Sequence, residues 1–218
     1  MLNIKPRGVV FDLDGTLLNT EVLAKECFEL ACADSGYAVD LTAYQQCIGQ
    51  TGAVTQEVLS QAYGPDFSYE LLTQHWSRHY HQAIDDGRVD LMPGIGELLD
   101  CLVRRRMVLA VVTSSGRDNV MKKLARAGID DFFEFCVCAG EAEYGKPHPA
   151  PYLKAVQQLA LQSHQCLAVE DSNPGTESAL AAGLPTVQIP DQLPALDRQD
   201  AHHYVFDSAT ELLAYFDA

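Results

Sequence analysis

The sequence predicts an α/β protein: a doubly wound parallel sheet, with a small α-helical domain inserted after the first strand. Three observations carry that expectation. Short apolar runs, each the length of a strand buried on both faces, recur between residues 7 and 190. Stretches with a 3.6-residue apolar period lie between them, and strand–helix alternation is the mark of a parallel sheet covered on both faces. From residue 21 to residue 90, by contrast, the pattern is helical throughout.

Residues 7–13 form the first apolar run and read as a buried strand. In the helical stretch that follows, Val22, Leu23, Cys27, Leu30 and Ala31 share one face, and Gly36 stops that helix. Tyr69, Leu72, Trp76, Tyr80 and Ala83 share another. "DLMPGIGELL" returns to the main domain, with Pro93-Gly94 as a turn. Ile95, Leu98, Leu99, Leu102 and Val103 then make a helical stripe, and "MVLAVV" a strand. Val120, Met121, Leu124 and Ala127 make the next helix, ended by Gly128. "FCVCAG", "CLAVED" and "PTVQIP" read as strands. Tyr152, Leu153, Val156, Leu159 and Ala160 mark one helix between them, and "TESALAAG" ends another on Gly183. Ser208 with Glu211 three residues on is a capping box that opens a last helix. The expected division is 1–18 with 88–218 as the core, and 19–87 as a helical cap domain. An insert tethered at two points can close over a site as a lid.

Composition narrows the function. A hydrophobic fraction of 47% over 218 residues suffices for a real core. Thirty acidic against fifteen basic residues give a net charge of −15, which repels nucleic acid and anionic membranes. Neither is an expected partner. The same charge would repel a phosphate ester unless a local cation corrects it. No apolar run approaches the roughly 20 residues of a membrane span, and the first residues lack the apolar stretch of a signal peptide. Seven cysteines without a CxxC read as reduced thiols, hence a cytoplasmic location. Cys136 and Cys138 read as core thiols. Oligomeric state is not legible.

The stretch "VVFDLDGTLLNTE" carries the chemistry. Asp12 and Asp14 flank Leu13, so in a strand both side chains leave by one face. They stand at the carboxyl end of the first strand, where open parallel sheets bind ligands. Two carboxylates there repel unless a cation or a shared proton relieves them, and a hard divalent cation suits oxygen ligands.

"FDLDGTLLNT" resembles the first motif of the haloacid dehalogenase-like (HAD) hydrolases. "VVTSS" resembles the second, a strand ending in Thr or Ser. "GKPHPAPY" resembles the third, a Lys before Pro, and "VEDSNPGTESALAAG" the fourth, an acidic pair followed by a helix. Four motifs in order, each at a strand end or the loop after it, span residues 9–183. A helical insert after the first motif is typical of the subgroup that includes phosphoglycolate phosphatases and β-phosphoglucomutases.

The resemblance implies a Rossmann-like HAD core and a set of roles. Asp12 would be the nucleophile, forming an aspartyl-phosphate. Asp14 would protonate the leaving oxygen and then take a proton from water. Mg²⁺ would be held by the Asp12 carboxylate, the Asp14 backbone carbonyl and the Asp171 carboxylate. Thr113 and Ser114 would bind the phosphoryl group, with Lys146 as the fixed positive charge. Glu170 would ligate through water or orient Asp171. The implied activity is a Mg²⁺-dependent phosphatase acting on a small phosphorylated metabolite. The alternatives are a sugar phosphomutase and a non-catalytic binding protein on the same fold.

Several features bear on these choices. Dehalogenases of the family lack the second Asp, which is present here. Phosphonatases use a cap lysine, and the insert holds Lys25 with nothing to activate it. The mutases have a cap His where this chain has Ala24, and an Arg in the loop that here reads "CIGQTGAVT", with Gln50, Thr51 and Gly52. Asn19-Thr20 stands where relatives often read Asp-Ser or Asp-Thr, so an amide replaces a carboxylate, which bears on cap closure. His75 and His79 have the i, i+4 spacing of a metal pair but read as a surface or partly buried pair, and His202-His203 reads as loop.

Overall fold

A computed structural model describes residues 4–48 and 52–217. The chain divides into two compact units, residues 1–19 with 90–218, and residues 20–89.

The first unit is built on six parallel strands: β1 (Gly8–Phe11), β2 (Val108–Val112), β3 (Phe135–Val137), β4 (Cys166–Glu170), β5 (Thr186–Gln188) and β6 (His203–Val205). Their order is β3-β2-β1-β4-β5-β6. Val9 pairs with Leu109 on one side and Leu167 on the other. The two central strands are buried along their whole length, as unbroken apolar runs require. Around the sheet lie α5 (Ile95–Arg104), α6 (Arg117–Ala127), α7 (Ala150–Gln158), α8 (Asn173–Ala181) and α9 (Ala209–Asp217). Tyr152, Ala155 and Ala179 pack on Val10, Val112 and Ala168 in one continuous core. The chain leaves this unit after Asn19 and re-enters at Asp90. Just inside these points, Leu18 and Leu91 form an antiparallel bridge.

The second unit holds α1 (Thr20–Ser35), α2 (Leu41–Cys47), α3 (Gly52–Tyr63) and α4 (Tyr69–Asp85). Its core gathers Phe28, Ala31, Cys32, Tyr44, Leu59 and Leu72, with Trp76 packed against it. Trp76 Nε1 donates to the Ala24 carbonyl at 2.9 Å, which ties α4 to α1. Asp40 caps α2 by accepting from the Thr42 and Ala43 amides.

The structure departs from the sequence expectation in places. Val22 and Leu30 are exposed, and the buried face of α1 runs through Leu23, Cys27, Phe28, Ala31 and Cys32. Three of these five are shared with the expected stripe; a helix rich in Ala and Cys gives its apolar face little contrast. Met121, Leu153 and Val103 also point to solvent. His203 opens β6 instead of lying in a loop, and its Nε2 pairs with Gln188 Oε1 at 3.0 Å. A three-residue edge strand has too short a pattern to announce itself. At α9 the Glu211 amide donates to Ser208 Oγ, but the Glu211 carboxylate accepts from the Asp207 amide, one residue earlier than a strict capping box. All seven cysteines are free and buried. No helix among the described residues is long and apolar enough to cross a membrane.

Candidate active site

The strand order reverses between β1 and β4, so the chain departs to opposite sides from these two neighbours. Crevices for ligands open at the carboxyl ends of strands at such a point. The residues delivered there are Asp12, just past β1, and Glu170 and Asp171, at the end of β4. The Asp12 amide donates to the Val169 carbonyl at 2.9 Å, which locks the two strand ends together. Carboxylate oxygens of Asp12, Glu170 and Asp171 lie within 4.8 Å of one another.

Lys146 stands among these acids. Its Nζ donates to Asp12 Oδ1 at 2.5 Å, Glu170 Oε1 at 2.6 Å and the Val112 carbonyl at 2.9 Å. Glu170 is wholly buried and fully engaged. Its Oε1 also accepts from the Tyr152 hydroxyl at 2.6 Å, and its Oε2 from Ser172 Oγ at 3.1 Å. Gly175 makes room for it: a Cβ there would fall 2.1 Å from the Glu170 carboxylate.

Burial dominates the electrostatics. It pushes the Asp12 carboxyl up to about 7, against the pull of the Lys146 ammonium and with help from Glu170 and Asp14. It raises Asp171 well above the usual carboxylate range, again with the charges of Asp12 and Glu170 adding to it. Burial alone would lower Lys146, but the Asp12 and Glu170 carboxylates outweigh it and the net shift is upward. The acids thus outnumber the cation that serves them.

Asp14 has different neighbours. Lys123 Nζ donates to its Oδ1 at 2.6 Å, and Ser115 Oγ to its Oδ2 at 2.7 Å. Strand β1 stops at Phe11, so the two aspartates sit in the loop beyond it and each finds its own lysine. Thr113, at the end of β2, is buried, and its Oγ1 accepts from the Ser115 amide at 3.0 Å. That bond uses an acceptor site and leaves the hydroxyl proton to be donated elsewhere. Thr113, exposed Ser114 and Lys146 line one cavity of about 240 Å³, with Gly140, Tyr144 and Gly145.

The residues fit a hard cation. The donors are all oxygens, and two of the three acids are raised, by burial first and by one another's charge second. Thr16 Oγ1 donates to Asp171 Oδ1 at 3.1 Å. Gly15 has φ +84°, and a Cβ there would meet Asp171 Oδ2 at 2.7 Å and Asp191 Oδ2 at 3.4 Å. Asp191 Oδ2 is buried without a hydrogen-bond partner. An orphaned carboxylate oxygen beside an acidic cluster is what a bound cation or its water would satisfy. Glu170 is already committed to Lys146, Tyr152 and Ser172, which leaves Asp12 and Asp171 as the carboxylates able to turn to a metal.

The family model described as haloacid dehalogenase-like hydrolase matches residues 9–189. The chain belongs to the haloacid dehalogenase-like hydrolases. Protein CbbY of Rhodobacter capsulatus is 34% identical over 197 residues, covering 85% of this chain and 86% of that one. A phosphoglycolate phosphatase of Yersinia pestis is 28% identical, covering 83% and 79%. The crystal structure of a HAD family hydrolase from Deinococcus radiodurans R1, with bound phosphate and sodium, superimposes with a TM-score of 0.81 at 28% identity, covering 99% of this chain and 98% of that one.

In this HAD hydrolase the structure brings Asp12, Glu170, Asp171 and Lys146 into direct contact or close grouping, with Thr113 and Ser114 on the cavity that Lys146 also lines. Glu170, left open between a water-mediated ligand and a guide for Asp171, bonds Lys146, Tyr152 and Ser172. Four contributors escaped the sequence: Thr16, Ser115, Lys123 and Tyr152. Lys123 had a signal, since it interrupts the apolar face of α6 between Val120 and Leu124. Thr16 and Ser115 had none, because hydroxyl groups in loops are common, and Tyr152 read only as part of the apolar stripe of α7. In the second unit, His79 Nε2 lies 2.8 Å from Asp34 Oδ2 and Arg78 Nη2 donates to the same oxygen at 2.5 Å. Among the described residues only the Asp12–Glu170–Asp171 group has the closeness of a metal site. Gln50 and Thr51 lie outside the described residues.

Proposed function

We propose that the protein is a Mg²⁺-dependent phosphatase that hydrolyses a small phosphorylated metabolite through an aspartyl-phosphate on Asp12. The observation that carries this reading is Lys146, which contacts Asp12 while lining the cavity it shares with Thr113 and Ser114. A nucleophilic carboxylate, a fixed ammonium and hydroxyl donors thus meet in one place.

Asp12 attacks phosphorus, and the bond to the leaving alkoxide breaks. Asp14 gives that alkoxide its proton. Asp14 then takes a proton from water as the water oxygen attacks phosphorus, and the bond to Asp12 breaks, releasing phosphate. Thr113, Ser114 and Lys146 hold the phosphoryl oxygens through both steps. Glu170 keeps Lys146 in place. The Asp12 carboxylate, the Asp14 backbone carbonyl and the Asp171 carboxylate would hold Mg²⁺, which supplies charge neutralisation between nucleophile and phosphate. Residues 20–89 act as the cap that selects the substrate. Seven buried free thiols support a cytoplasmic location.

Phosphatases among the relatives support the choice of substrate class. Hydrolysis of p-nitrophenyl phosphate with Mg²⁺ by the native chain, and its loss in Asp12→Asn, is the test. Turnover that survives Asp12→Asn rules out the covalent route.

A further inference from the structure

Lys123 is a charged residue on the buried face of a helix. It sits in α6 between Val120 and Leu124, both buried, and its own side chain is 2% exposed. A lysine is almost never buried unless paired, and desolvating an ammonium is expensive even when it is. A methionine would fill the same space without that penalty. The lysine's Nζ donates to Asp14 Oδ1 at 2.6 Å, while Ser115 Oγ donates to Oδ2 at 2.7 Å. One donor comes from α6 and the other from the loop after β2, so the carboxyl group is gripped at both oxygens from two rigid directions.

We infer that Lys123 is a positioning residue for Asp14, one arm of a two-point clamp, with Ser115, that fixes where the proposed acid–base carboxyl stands. The inference rests on the acid–base role given to Asp14 above. That role demands placement within hydrogen-bond reach of a leaving oxygen. A displacement of about 1 Å costs on the order of 10²-fold in rate. A carboxylate oxygen accepts more than one hydrogen bond, so the clamp is compatible with proton exchange. The molecule therefore divides its aspartate pair between two buried lysines. Lys146 serves Asp12 and the phosphoryl group, and Lys123 serves Asp14 and the leaving group.

The test is a double-mutant cycle on glycerol phosphate, a poor-leaving-group ester, with thermal unfolding as the control for folding. Lys123→Met should lower kcat by about 10–10²-fold and leave KM within about twofold, because placement of the proton donor acts on the step and not on phosphate binding. In an Asp14→Asn background the same substitution should change kcat by less than about twofold, since there is no carboxyl left to place. Equal losses in both backgrounds, or a loss carried by KM, overturn the inference and leave Lys123 a structural residue. Should Lys123→Met not fold, Ser115→Ala removes the other arm and is judged by the same cycle. A native chain inert toward glycerol phosphate and p-nitrophenyl phosphate alike removes the proposed function, and this role with it. An active native chain with additive losses removes only the role of Lys123.

Discussion

Lys146 and Glu170 form an ion pair closed to solvent: Nζ donates to Oε1 at 2.6 Å, and the side chains are 6% and 0% exposed. Glu170 can reach this place because Gly175 lacks a Cβ and because Tyr152 and Ser172 satisfy its remaining acceptor sites. Removing the lysine would leave the wholly buried Glu170 carboxylate without a cation. Lys146→Ala should lower stability by roughly 3–5 kcal/mol, measured by urea unfolding. A loss under about 1 kcal/mol would show that the pair behaves like one at the surface.

The crowding of Asp12, Glu170 and Asp171 predicts dependence on a cation. A chelator should abolish turnover, and Mg²⁺ should restore it. Ca²⁺ should bind and fail to support catalysis, because it takes more oxygen ligands at longer distances. Undiminished hydrolysis in excess chelator would remove the cation from the proposed mechanism.

Gly15 tests the same site from the backbone. Its φ of +84° strains any other residue, and a Cβ would press on Asp171 Oδ2 at 2.7 Å. Gly15→Ala should therefore destabilise the fold by about 1–2 kcal/mol and weaken Mg²⁺ binding by calorimetric titration. Unchanged affinity would mean that Asp171 does not use that oxygen.

Glu141 offers a pH-dependent contact outside the acidic cluster. The Arg117 guanidinium bonds both its oxygens, Nε to Oε1 at 2.5 Å and Nη2 to Oε2 at 2.8 Å. These bonds, with the Cys138 amide and against some desolvation, hold the carboxyl below its ordinary 4.5. A depressed acid contributes stability that is present above its unfolded pKa and lost as pH falls through the folded one. The gap between the native chain and Arg117→Gln should be constant near neutrality and close below about pH 4.5. Because both groups are partly exposed, its size should stay within about 1 kcal/mol. A gap that widens in acid contradicts the assignment.

The cysteines should be inert while the protein is folded. Burial pushes Cys136 and Cys166 up to about 11, and thiolate is the reactive form. Iodoacetamide at pH 8 should label the native chain slowly and all seven thiols in denaturant. Rapid labelling of the native chain at several sites would contradict the burial seen here.

Strands β1 to β4 were legible because a strand buried on both faces needs an apolar run, and such runs are local; β5, Thr186–Gln188, was legible from the short stretch between two prolines. Asp12, Thr113, Lys146 and Asp171 were legible because their motifs recur in order at strand ends. Strand β6 was not, since at the edge of the sheet three residues need little hydrophobicity. The apolar face of α1 was read only in part, because Val22 and Leu30 have the period of a buried stripe and lie in solvent all the same.

The sequence by itself determined the alternation of strand and helix, the helical insertion after the first strand, the family, and the identity of the acids and the lysine at the candidate site. Only the tertiary structure decided which charge answers which. Lys146 meets Glu170 from 24 positions away and Lys123 meets Asp14 from 109. Spacing along the chain encodes local periodicity, but a buried ion pair is set by which side chains lose water together. That is a property of the packed sheet and its helices, and it exists only once residues far apart in sequence have closed the same crevice.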